Sequence, residues 1–250
     1  MSDHIIIAEQ VNKSFAAVTA ANDINVSVPS GAVWSLIGSN GAGKTTFVNM
    51  VTGYIKPDSG RILFDGNDIT GHSPRVISQM GVCRSFQIPQ LCAELSVLEN
   101  MLIALSVRRK ERPSFFNRAL SNRNTDLAMA ELEKFQLADF RDNRTNEISS
   151  GSRKLLDIAM AIAGYPKVVL LDEPTSGVAA EEKFPIMDLV MEVLAKEQVT
   201  ILFIEHDMDI VTRYSERILA FYDGEVIANG TPEEALADEK VQRYVTGKSK

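Results

Sequence analysis

Cysteine is scarce: Cys83 and Cys92 are the only two in 250 residues, and they are not spaced as Cys-x-x-Cys. That excludes a disulfide framework and a cysteine-based zinc site, leaving two ordinary core or surface thiols. Long hydrophobic runs are missing, since no stretch approaches the roughly 18 apolar residues that span a bilayer. The opening residues Met1, Ser2, Asp3 and His4 lack the basic region and long apolar core of a secretion signal, so a cytoplasmic location is expected. Positive charge is also in deficit. Lys and Arg number 26 against 33 Asp and Glu, for a net charge of −7. Nucleic-acid binding depends on neutralising phosphates, so no nucleic-acid partner is expected. There is no internal repeat and no low-complexity tract. What remains is 45% hydrophobic and 24% charged, the make-up of an ordinary globular protein, with length for one large domain or two small ones.

Against that plain background one segment stands out: Gly38-Ser39-Asn40-Gly41-Ala42-Gly43-Lys44-Thr45-Thr46. It fits the Gly-x-x-x-x-Gly-Lys-[Ser/Thr] pattern of a loop that cradles nucleotide phosphates. The apolar run 32–37 before it reads as a buried strand and 44–52 after it as a helix, which is the context the pattern needs. Glycines let successive amides turn inward, and a helix N-terminus adds positive potential. Lys44 then offers a point charge to the β- and γ-phosphates, and the Thr45 hydroxyl a ligand for Mg²⁺.

Around this segment the chain alternates short strands with turns. Strand-like runs cover 5–7, 24–28, 32–37 and 61–64, with Pro29-Ser30-Gly31 and Pro57-Asp58-Ser59-Gly60 supplying turn chemistry. From about residue 88 to 165 strand runs vanish, and helical periodicity appears over 97–107 and 125–135. Between those helices lies a basic, Pro- and Asn-containing stretch, Arg108-Arg109-Lys110-Glu111-Arg112-Pro113 and on to Arg123-Asn124. It reads either as a solvated loop or as a contact surface for a partner or lipid headgroups. Strands resume at 168–171, 201–204 and 218–221. Thr231-Pro232-Glu233-Glu234 opens a final helix with a capping threonine, proline at the first position and acids in the first turn. A helical segment inserted into an α/β core accounts for this order.

Further polar residues fall where that core delivers them. The apolar strand 168–171 ends in Asp172-Glu173, and open parallel sheets place ligand chemistry at carboxyl ends of strands. Asp172 suits the Mg²⁺ shell, because Mg²⁺ prefers oxygen ligands and keeps its water. Glu173 suits orientation and deprotonation of an attacking water. The strand 201–204 runs into Glu205-His206-Asp207, where His206 can reach a γ-phosphate as a hydrogen-bond donor. Phe86-Gln87 lies where the core gives way to the helical segment, and Gln87 can touch Mg²⁺ or the water. Ile148-Ser149-Ser150-Gly151-Ser152 precedes a helix over 153–163, where it caps that helix or binds an anion.

Taken in this order, these residues resemble the nucleotide-binding subunit of ATP-binding cassette (ABC) transporters, over nearly the whole chain. The resemblance implies an α/β fold: a P-loop NTPase core with a mostly parallel sheet, an N-terminal antiparallel β-subdomain and an inserted α-helical subdomain. It implies one cassette over 1–250, with 1–87 and 166–250 as the core and 88–165 as the helical part. By resemblance, Gly38 to Thr46 (Asn40, Gly41, Ala42, Gly43 and Lys44 included) is the Walker A loop and Gln87 the Q-loop glutamine. Ser149 and Gly151 belong to the signature, Asp172 and Glu173 form the Walker B pair, and His206 is the switch histidine. Phe15 matches the aromatic that stacks on adenine, unless it is a core phenylalanine near a strand end. ATP and Mg²⁺ are the implied cofactors, and ATP hydrolysis coupled to transport the implied activity. Arg84-Ser85-Phe86-Gln87, Leu95-Ser96-Val97-Leu98-Glu99-Asn100, the basic insertion and Glu205-His206-Asp207-Met208 are most similar to importers of branched-chain amino acids and amides. The implied partners are integral membrane permease subunits, a second ATPase subunit and, indirectly, a periplasmic solute-binding protein, with the chain peripheral on the cytoplasmic face of the inner membrane.

The sequence departs from the family in two places. The family signature reads Leu-Ser-Gly-Gly-Gln, whereas Ser150 and Ser152 replace its first glycine and its glutamine. Ala179 stands where the loop after Walker B usually carries an acid or asparagine. Both changes fall on residues that serve the opposite site of a dimer, so a heterodimer with one stronger and one weaker site is expected. Other classes remain: a soluble cassette ATPase of DNA repair or translation, an exporter subunit, or a non-transport P-loop kinase or GTPase. The first usually carries a second cassette, a coiled coil or a zinc module, none of which is seen here. The last would need a guanine-reading Asn-Lys-x-Asp, which is absent.

Overall fold

The apolar runs of this chain are too short for membrane helices and too continuous for a half-exposed sheet, so they need cover on both faces. A computed structural model, which describes residues 4–87, 89–108 and 122–247, shows that cover. The chain opens with a long hairpin of β1 (His4–Phe15) and β2 (Val18–Pro29). It continues through β3 (Val33–Ile37), α1 (Lys44–Val51), β4 (Ser59–Phe64), β5 (Asn67–Asp68), α2 (Pro74–Met80) and β6 (Val82–Ser85). Among the described residues α3 (Val97–Arg108), α4 (Asn122–Lys134) and α5 (Ser150–Ile162) follow with no named strand between them. Alternation resumes with β7 (Val168–Asp172), α6 (Ala180–Lys196), β8 (Thr200–Ile204) and α7 (Met208–Tyr214). Then come β9 (Arg217–Tyr222), β10 (Glu225–Gly230), α8 (Pro232–Ala237) and α9 (Glu239–Tyr244).

Two sheets result. A four-stranded antiparallel sheet has the order β2-β1-β4-β5, and a six-stranded sheet has the order β10-β9-β3-β8-β7-β6. In the second sheet β6, β7, β8, β3 and β9 are parallel, with β10 antiparallel at one edge. Alternate residues of its strands enter two apolar clusters. Val169, Leu171, Ile201, Phe203, Ile218 and Ala220 pack with the helical side, while Val168, Leu170, Leu202, Ile204, Leu219 and Phe221 pack with α1 and the antiparallel sheet. Every residue of β7 and β8 is therefore buried. That is why these strands read as unbroken apolar runs with no period of two.

The fold is of the expected α/β class, with differences of extent. The strand expected at 5–7 is twelve residues long, because it pairs with both β2 and β4. α5 begins at Ser150, not 153, with Ser149 as its N-cap accepting from the Ser152 amide at 3.1 Å. Thr231 caps α8 in a reciprocal pair with Glu234, as its sequence suggests. Residue 88 and most of the basic stretch, 109–121, lie outside the described residues. Cys83 is buried and Cys92 exposed.

Ala179 takes the N-cap of the 17-residue α6 with no side-chain cap bond. Helix N-termini leave amides unsatisfied, and an Asp at the cap accepts from them. Ala179→Asp is expected to raise stability by about 0.5–2 kcal/mol, read as a higher urea midpoint with unchanged slope.

Candidate functional site

Parallel pairing turns the carboxyl ends of β3, β7, β8 and β6 toward one edge, and each runs into a polar segment. β3 leads into the glycine-rich loop. Gly43, the N-cap of α1, sits at φ 107, and a Cβ there would stand 2.5 Å from the Ala20 carbonyl oxygen. Only glycine tolerates both the backbone angle and the contact. At Gly41 a Cβ would meet nothing within 4 Å, so the outer side of the loop is open. Asn40, Gly41 and Thr45 are exposed, Thr46 is half-buried, and Gly38, Ala42, Gly43 and Lys44 are buried. The Lys44 ammonium folds back to donate to the carbonyls of Gly38 at 2.6 Å and Ser39 at 3.0 Å. Burial pushes its pKa below the ordinary lysine value, against the opposing pull of Glu173 and Asp172.

β7 delivers Asp172 and Glu173. Asp172 is paired with Arg84 of β6 at 2.5 Å, and the same guanidinium reaches Asn49 of α1 at 2.5 Å. Glu173 has φ 47, a left-handed backbone that costs a non-glycine residue about 1–3 kcal/mol. Its amide still donates to the Ile204 carbonyl of β8 at 3.0 Å, so the sheet holds the strained residue in place. In that position Gln87 Nε2 donates to Glu173 Oε2 at 2.6 Å, and His206 Nε2 lies 3.3 Å from Oε1. Residues just after β6 and β8, Gln87 and His206, thus meet at the carboxylate of Glu173, just after β7.

Phe15 is 45% exposed near the tip of the first hairpin, with Lys13 Nζ over its ring at 5.4 Å from the centre, so it is no core residue. Ser149 and Gly151 sit apart from this cluster. Among the described residues their polar contacts stay within α5, and a Cβ on Gly151 would stand 2.9 Å from Ile186 of α6. A side chain at 151 would crowd the ends of the Ile186 and Glu182 side chains, which are flexible enough to give way.

Two groups of residues escaped the sequence reading. The Glu205 carboxylate, 4% exposed, accepts from the Thr175 amide at 2.9 Å and hydroxyl at 2.7 Å, and from the His206 amide at 3.1 Å. It ties the His206 turn to the loop after β7. Lys154 and Asp157 of α5 are also buried, and burial lowers the pKa of the first and raises that of the second. An acid at a strand end and an Arg next to Ser85-Phe86-Gln87 were visible in the sequence, but their partners were not.

The arrangement suits a polyphosphate: an open loop at a helix start, a lysine whose bonds can be exchanged, and a strained carboxylate flanked by donors. A divalent ion with hard oxygen preference also fits. Thr45 would supply a hydroxyl, Asp172 a carboxylate and Gln87 a carbonyl. Among the described residues no three His, Cys, Asp or Glu side chains gather as a metal cluster. Mg²⁺ needs none, since it is usually held by one or two carboxylates plus substrate phosphates.

Residues 21–176 match the family model described as ABC transporter. The chain belongs to the ABC transporter family. It is 36% identical to a probable branched-chain amino acid transport ATP-binding protein, LivG, of Methanocaldococcus jannaschii, over 97% of both chains. It is 33% identical to the high-affinity branched-chain amino acid transport ATP-binding protein LivG of Escherichia coli over the full length of each. Among solved structures, an ATP-binding cassette of an ABC transporter in its ADP conformation superposes with a TM-score of 0.85, at 33% identity over 96% of this chain and 97% of that one. The cassette is thus a nucleotide-binding ATPase whose activity is coupled to transport, and ABC ATPases of this kind work with membrane permease subunits. Among the described residues no helix is long and apolar enough to cross a membrane.

Glu205→Gln sets a donor against the Thr175 or His206 amide. The expected cost is about 1–3 kcal/mol in urea unfolding, with ATP turnover falling more than nucleotide affinity. Unchanged turnover and midpoint would exclude Glu205 from holding these loops.

Proposed function

We propose that this cassette binds and hydrolyses ATP, with Mg²⁺, for an importer of branched-chain amino acids or related small polar solutes. The observation that carries the hydrolytic reading is the Glu173 carboxylate held between Gln87 and His206 beside Lys44. The named function of the relatives supports the cargo class.

In this reading the exposed Phe15 ring stacks on adenine. The loop from Gly38 to Thr46, with Asn40, Gly41, Ala42 and Gly43 presenting amides, surrounds the phosphates, and Lys44 exchanges its carbonyl partners for phosphate oxygens. Thr45, Asp172 and Gln87 would hold Mg²⁺, which would neutralise charge on the phosphate oxygens. Glu173 accepts a proton from water as the water oxygen attacks the γ-phosphorus and the bond to the β–γ bridging oxygen breaks. His206 donates a hydrogen bond to the γ-phosphate. Ser149 and Gly151 face the nucleotide held by the other ATPase subunit, and closure of the two subunits converts binding energy into conformational work.

The chain then acts as one cassette, with 1–87 and 166–250 forming the core and 88–165 the helical part that meets the permease. It sits peripherally on the cytoplasmic face of the membrane, with a periplasmic solute-binding protein as an indirect partner. Ser150, Ser152 and Ala179 favour a non-identical ATPase partner, because each alters a residue that serves the opposite site.

Glu173→Gln is expected to retain ATP binding and slow turnover by roughly 10²–10⁴-fold, while Lys44→Ala weakens nucleotide binding itself. Single-turnover assays and equilibrium titration separate the two, and unimpaired turnover in Glu173→Gln would remove Glu173 as the base. The heterodimer reading predicts that the purified chain alone hydrolyses ATP more slowly than the complex with its permeases and second ATPase. A cooperative homodimer that matches the complex's rate overturns it.

A further inference from the structure

We propose that Lys154 and Asp157 of α5 form a buried clamp that joins this chain's own hydrolytic residues to the Ser149–Gly151 end of the same helix. Occupation of one nucleotide site is thereby transmitted to the surface offered to the partner's nucleotide. The inference rests on the ATPase reading above, and it concerns positioning residues, since neither side chain reaches the substrate.

The observation is an unusual use of charge. Positions 154 and 157 lie on one face of α5, three residues apart. They are 1% and 6% exposed, where an amphipathic helix would carry apolar side chains. Ionised groups are buried only when their hydrogen bonds are supplied. Here the supply comes from the two segments that carry Gln87, Asp172 and Glu173. Lys154 Nζ donates to the carbonyls of Phe86 at 3.0 Å, Gln87 at 3.2 Å and Asp172 at 3.4 Å. Asp157 accepts from the amides of Phe86 at 3.2 Å and Gln90 at 3.0 Å. The backbone around Gln87 is thus held through its carbonyls by one residue and through its amides by the other. Burial lowers the Lys154 pKa, and the carboxylates of Asp157, Asp172, Glu205 and Glu173 only partly oppose that shift.

Such a clamp leaves little independent freedom. If Gln87 shifts toward a ligand, either the four hydrogen bonds to Phe86, Gln87 and Gln90 lengthen or α5 follows. A helix moves as a unit, and this one carries Ser149 at its N-cap and Gly151 in its first turn, the latter seated against Ile186 and Glu182 of α6. Apolar residues at 154 and 157 would pack α5 equally well but would not grip the backbone of Phe86, Gln87 and Gln90.

Hydrogen exchange of the full chain with and without Mg·ATP tests this. In the wild type ATP should slow exchange at 38–46 and change it at both 86–90 and 148–153. Lys154→Met, which keeps length and removes the donors, should retain the response at 38–46 and lose the response at 148–153. Lys154→Arg should restore it, and Asp157→Asn supplies a second break should Lys154→Met not fold. In the complex, kcat should fall roughly 10-fold or more with KM for ATP within about threefold, as for misplaced catalytic groups. A response at 148–153 that persists in both Lys154→Met and Asp157→Asn overturns the clamp while leaving the ATPase reading intact. Absence of any ATP response at 38–46 in the wild type overturns both.

Discussion

Parallel pairing of β6, β7, β8 and β3 is the constraint from which the candidate site hangs. Parallel strands end on the same side, so four separate stretches of sequence reach one edge. Neighbouring strands are about 4.8 Å apart, so β3 and β7, with β8 between them, are separated by roughly 10 Å. The phosphate loop and the acidic pair therefore face each other across a gap suited to a polyphosphate. Burial on both faces secures this pairing, because a slip in register would break the interdigitation of both apolar clusters.

Strain and buried charge gather at that same edge. Glu173 adopts a left-handed backbone, Glu205 is buried with three donors, Arg84 holds Asp172, and Lys154 binds the backbone on both sides. Each feature is costly alone and is kept only because its neighbours over-determine it. The result is a set of polar groups held in position before substrate arrives, which lowers the reorganisation needed during the reaction. Lys44, by contrast, is parked on two carbonyls, a state exchangeable for phosphate oxygens.

Much of this was legible along the chain. The loop from Gly38 to Thr46 is a contiguous pattern whose geometry is local, and the apolar runs before Asp172 and His206 announced buried strands. The capping box at Thr231 was equally local. Legibility failed where a property depended on a distant partner. Nothing in Val-Cys-Arg-Ser shows that Arg84 lies on Asp172, 88 residues away. The length of β1, twelve residues where three were expected because it pairs on both sides, and the start of α5 were likewise not legible. A lysine and an aspartate inside a helix look like solvated charges until Phe86, Gln87 and Gln90 are packed against them.

The division follows from the range of the forces involved. Sequence by itself determined the α/β class, the ABC family, the nucleotide loop and the identity of the strand-end residues, because these rest on backbone conformations and apolar patterns spanning a few neighbours. Only the tertiary structure decided that Gln87 and His206 share the Glu173 carboxylate, that Glu205 binds two loops together, and that Lys154 and Asp157 turn inward. Those contacts arise from strand order and helix packing, which bring together groups that the chain keeps far apart.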